Sequence, residues 1–69
     1  MVTDVQVNDI VKGVIVKVSI CGLHEVETES GHNAIFIVVN PTKPYYVGAK
    51  IKGRVIRVYN NFIDLVPAL

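Results

Sequence analysis

The chain has 69 residues, 51% of them hydrophobic and 19% charged, with a formal net charge of +1. A chain of this length buries roughly 60% of the surface its unfolded form exposes, which allows one domain with a core only just large enough. No apolar run approaches the roughly 20 residues of a membrane-spanning helix, no signal peptide opens the chain, and Cys21 has no second cysteine to pair with, so a soluble cytoplasmic protein held by core packing is expected.

Strands are predicted throughout. No stretch of a dozen residues spaces its apolar positions for a helix face, and the apolar half is dominated by β-branched Val and Ile. The first strand covers residues 10–20, ended by Gly22. The second covers 23–29, closed by Ser30 and Gly31, and the third covers 34–39, stopped by Asn40 and Pro41. Pro41 and Pro44 leave little room for a helix in the connection 40–48. The fourth strand runs over 49–59. Asn60 and Asn61 then turn directly into the fifth, 62–66, because asparagine tolerates the positive φ of a two-residue hairpin turn.

One phrase is written twice: VKGVIVKV at 11–18 and IKGRVIRV at 51–58. Lys12 and Lys17 are five apart, as are Lys52 and Arg57, so strict alternation cannot keep each pair on one face. A change of phase is expected just after Gly13 and Gly53, where a bulge or tight coil lets one long strand serve two sides of a small closed barrel. The bends then place the basic residues before and after each glycine on different barrel surfaces. Five strands, two of them long and bent, predict an all-β, five-stranded closed OB-type barrel spanning 1–69, with a short loop replacing the helix between strands three and four. An SH3-like barrel is the structural alternative.

The stretches VNDIVKGVIVKVSICGL and YVGAKIKGRVIRVYNNFIDLV resemble the opening and ending of the S-one domain, the RNA-binding OB repeat named after ribosomal small-subunit protein one. The TRAM domain, another small OB-type RNA binder, is nearly as similar through AIFIVV. The resemblance implies a role among RNA-binding proteins of translation and RNA processing. It also has departures. Asn8 stands where the family has glycine, and the family's aromatics around the first turn are replaced by Ile20 or Cys21 and by Leu23-His24, leaving His24 as the one residue there able to stack.

Charge is divided along the chain. Residues 1–39 hold Lys12 and Lys17 against Asp4, Asp9, Glu25, Glu27 and Glu29; residues 40–69 hold Lys43, Lys50, Lys52, Arg54 and Arg57 against Asp64. Cations neutralise phosphates and tyrosine rings stack on bases, so the expected nucleic-acid contacts are Lys50, Lys52, Arg54, Arg57 and Tyr59, with Lys43, Tyr45 and Tyr46 at the mouth and His24, read as a surface residue, at the margin. A plug at the barrel end is the structural alternative for Tyr45 or Tyr46. Single-stranded RNA with little sequence preference is the expected partner. The alternative is a protein-interaction or decoy module, with Glu25, Glu27 and Glu29 docking a basic surface and Phe36 or Val38 facing a partner or a second copy. Cys21, His24 and His32 match no zinc spacing, and the three glutamates read as a solvated strand face, so no enzyme, metal or cofactor is expected.

Overall fold

The β-branched runs do become strands, and five of them close on themselves. In the computed structural model, which describes residues 5–39, 44–60 and 62–68, they are β1 (Ile10–Lys17), β2 (Leu23–Thr28), β3 (Asn33–Ile37), β4 (Lys50–Tyr59) and β5 (Phe62–Pro67). The barrel order is β1-β2-β3-β5-β4, with β3 parallel to β5 and every other pairing antiparallel. This is a small OB-type barrel, as expected. No helix occurs among the described residues, and 44–49 lead into β4 without one. Residues 40–43, the rest of that connection, lie outside the described residues.

Each strand supplies the core. Ile15, Val26, Phe36, Val55, Ile63 and Leu65 are fully buried, and removing their apolar surface from water is the main stabilising term. Phe36 and Val38 are both in this cluster, which corrects the expectation that either faces a partner. They share parity with buried Ala34, so β3 and the residue after it turn that set inward together.

The repeated phrases turn out to be neighbours. β1 and β4 pair antiparallel with Lys12 opposite Lys52, Gly13 opposite Ile51 and Val11 opposite Gly53. Both strands do change phase, but not just after their glycines. Inside–outside alternation runs unbroken through Gly13 and Gly53, and the register shifts fall between Ile15 and Lys17 and between Val55 and Arg57. The extra residues are Val16 and Ile56, each three places beyond its glycine. A bulge at these equivalent places returns Lys17 and Arg57 to the outer surface and increases local twist.

Gly13 has a different task. A Cβ built on it would lie 2.6 Å from Val26 Cγ1 and 2.8 Å from the Glu27 carbonyl oxygen, so β1 and β2 reach their spacing only because that atom is missing. Gly53 is less crowded, with its nearest neighbour, Leu65 Cβ, at 3.0 Å.

Asparagine fills two left-handed positions. Asn60 has φ 52°, as the β4–β5 hairpin requires, and Asn8 has φ 78°. The second value gives a physical reason why asparagine serves at a place where glycine would be ordinary. Asn8 Oδ1 also accepts a 3.1 Å hydrogen bond from Arg54 Nη1. The β2–β3 turn is held by side chains. Thr28 Oγ1 accepts from the His32 backbone N–H at 3.0 Å, and Ser30 Oγ bonds His32 Nδ1 at 2.8 Å.

Candidate nucleic-acid interface

The residues expected to form one basic surface are split by the barrel. Lys50 and Lys52 lie on the outer face of β4 beside β1, where Lys52 meets Lys12 and Lys50 sits opposite Val14. Arg54 is opposite Ile10, the last β1–β4 pair, and is tied to Asn8. Arg57 and Tyr59 lie beyond that pairing, beside Asp64 and Phe62 of β5. The bulge at Ile56 thus separates two basic groups, as the spacing of Lys52 and Arg57 predicts. Lys43 lies outside the described residues.

The second group is a built platform. The two-residue turn makes Tyr59 and Phe62 cross-strand partners, and their rings stack with centroids 6.2 Å apart and planes 25° from parallel. Both remain about half exposed, at 46% and 45%. The Arg57 guanidinium carbon sits 4.7 Å from the Tyr59 ring centroid, a cation–π arrangement that fixes both groups. No carboxylate lies within ion-pair distance of Arg57 among the described residues, where Lys17–Glu25, at 3.8 Å, is the one salt bridge. Phe62 is absent from the expected set, although the Asn60-Asn61 hairpin carries the signal for it.

Around the barrel from this platform come Asn33 of β3, in register with Phe62, and then Glu27 of β2, in register with Asn33. The platform therefore borders the β2–β3 face and the β4–β5 loop, the side on which OB folds take oligonucleotides. The β2 part of that face is acidic, with Glu25 and Glu27 exposed and Glu29 exposed just beyond the strand.

Two aromatic expectations are corrected in different ways. His24 is 6% exposed, so it neither stacks on a base nor sits on the surface. Its Nδ1 accepts the Ser19 backbone N–H at 3.1 Å, and its ring lies 5.5 Å from Tyr45. Burial follows from parity, because Glu25 and Glu27 point outward and leave His24, Val26 and Thr28 facing in. Tyr45 is the barrel-end plug: half-buried, packed on the core and edge-on to Phe36 at 5.5 Å. Tyr46, 65% exposed, is the one left at the mouth. Tyr45→Ala is expected to lower stability by about 2 kcal/mol in a urea melt, through lost packing, and to leave oligonucleotide affinity unchanged.

Cys21 is exposed, and a hydrogen bond from the Ser19 hydroxyl holds its thiol below the ordinary range, helped by a backbone hydrogen bond from Leu23. No group of three or more metal-ligating side chains occurs among the described residues. No helix among them is long and apolar enough to cross a membrane. No protein-family model matches the chain, and no curated protein matches it.

Proposed function

We propose that this chain is a non-enzymatic, cytoplasmic binder of single-stranded RNA, of the S-one or TRAM kind, with little sequence preference. The observation that carries this reading is the exposed Arg57–Tyr59–Phe62 stack at the β4–β5 turn of an OB-type barrel. Every base has a π-face, so two half-exposed rings accept bases without reading their edges. Arg57 supplies the phosphate contact, and Arg54 and Tyr46 are auxiliary. Lys50 and Lys52 belong to another face and are not needed for this site.

The test is a fluorescence-anisotropy titration with short single-stranded RNA across a range of salt. Binding should weaken as salt rises, and Arg57→Gln should flatten the logarithmic salt slope by about one unit. Arg57→Glu should be far more damaging than Glu25→Gln, which removes a carboxylate from the neighbouring β2 face and should leave binding equal or tighter. The reverse ranking, with Glu25 needed and Arg57 dispensable, favours a basic protein partner on β2. No binding at low salt sinks the RNA reading.

A further inference from the structure

We infer that the outer face of β2–β1–β4 is an interface for a second copy of this chain. A groove of about 600 Å³ runs over it, lined by Lys12, Val14 and Val16 of β1 and by charged side chains on either side of that strand. One row across the three strands reads Glu27, Val14, Lys50, fixed by the registers of β1 with β2 and with β4. The adjacent row reads Glu29, Lys12, Lys52: the Glu29 backbone N–H bonds the Lys12 carbonyl at 3.0 Å, and Lys12 faces Lys52. Both rows are acidic on the β2 side and basic on the β4 side.

That arrangement is self-complementary. A half-turn about an axis lying along β1, in the plane of contact, exchanges the two sides. It sets Glu27 against Lys50 of the second copy and Glu29 against Lys52 of the second copy, twice over, with Val14 packed on Val14. This is the isologous contact of a two-fold dimer.

Three observations favour this occupant. None of the groove's charges has an ion-pair partner among the described residues. Lys12 and Lys52 stand directly opposite one another, a like-charge pair that destabilises the single chain, and the docking brings Glu29 of the second copy over Lys52. The net charge of +1 offers almost no long-range repulsion between copies. A polyanion meets Glu27 and Glu29 in the same groove, whereas a bipolar face suits a bipolar occupant, and the chain's own face is one. Val14 and Val16, 38% and 49% exposed, supply the apolar centre. Arg57, Tyr59 and Phe62 do not line the groove, so the dimer presents two free platforms.

Sedimentation velocity on the full chain, from micromolar to millimolar concentration and at low and high salt, tests this. The wild type should form a dimer that weakens with salt. Glu27→Lys and Lys50→Glu should each weaken self-association by about tenfold or more, because each sets like charges together twice. An equimolar mixture of the two variants should dimerise again, since reversed charge then faces reversed charge. Recovery in the mixture also shows that both variants are folded. Lys12 lies on the axis and meets its own copy, so Lys12→Gln should tighten the dimer. If either reversal prevents folding, Glu27→Gln and Lys50→Gln replace the pair and should each weaken the dimer several-fold. A wild type monomeric throughout at low salt overturns the inference. So does a dimer indifferent to the substitutions, or a mixture that fails to recover. A monomer whose RNA affinity falls with Lys12→Gln or Lys52→Gln assigns the groove to nucleic acid instead.

Discussion

Gly13→Val is expected to remove more than half of the stability of the fold and to lower its melting temperature by more than about 10 °C. The added Cβ lands 2.6 Å from Val26 Cγ1, 2.8 Å from the Glu27 carbonyl oxygen and 3.2 Å from the Thr28 Cα. Two of those atoms are backbone of the paired strand, so relief requires β1 and β2 to separate where Gly13 pairs with Thr28. Overpacking a well-filled core costs about 1–3 kcal/mol, and a clash with opposing backbone lies at or above the top of that range. A domain this small has only about 5 kcal/mol to lose. Gly53→Ala should be milder, because its closest neighbours are Leu65 Cβ at 3.0 Å and the Val66 carbonyl at 3.2 Å. Thermal melts followed by far-ultraviolet circular dichroism check the ranking. A Gly13→Val protein melting close to the wild type contradicts it.

The combined substitution Tyr59→Ala with Phe62→Ala is expected to weaken RNA binding on the order of a hundredfold. Stacking on an aromatic side chain contributes about 1–3 kcal/mol per base, and this removes both rings as well as the surface on which Arg57 rests. The fold should survive, since both rings are half exposed and lie outside the core cluster. Losing the cross-strand pair should cost no more than about 1 kcal/mol. Retained affinity in the folded double variant would move the binding surface elsewhere.

How much of this was readable in the residues depends on what each reading required. Strand number and the β4–β5 hairpin were legible because glycine, proline and Asn60-Asn61 mark the breaks, and the left-handed φ of Asn60 is what that turn demands. The two long strands of an OB-type barrel were legible in the repeated phrase. The bulges were misplaced because VIVKV and VIRV are β-branched on both parities, so hydrophobicity cannot say which residue leaves the ladder. Phe36 and Val38 were misread for the same reason, since AIFIVV is apolar at every position. His24 is a different failure: the alternating glutamates of β2 assign it inward, and that pattern was available. Phe62 was equally available, given the hairpin. The splitting of the basic surface was only half legible. The spacing of Lys52 and Arg57 implies two surfaces, but that Lys12 faces Lys52 depends on which strands close the barrel.

The most direct test of the proposed function is a heteronuclear NMR titration of the chain with a short single-stranded RNA, because it reports which surface responds. The largest shift changes should fall on Arg57, Tyr59, Asn60 and Phe62 and spread to Asn33, while Lys12 and Lys52 stay near their free positions. Shifts centred on β1 and the first half of β4, with the Tyr59–Phe62 pair silent, would contradict it.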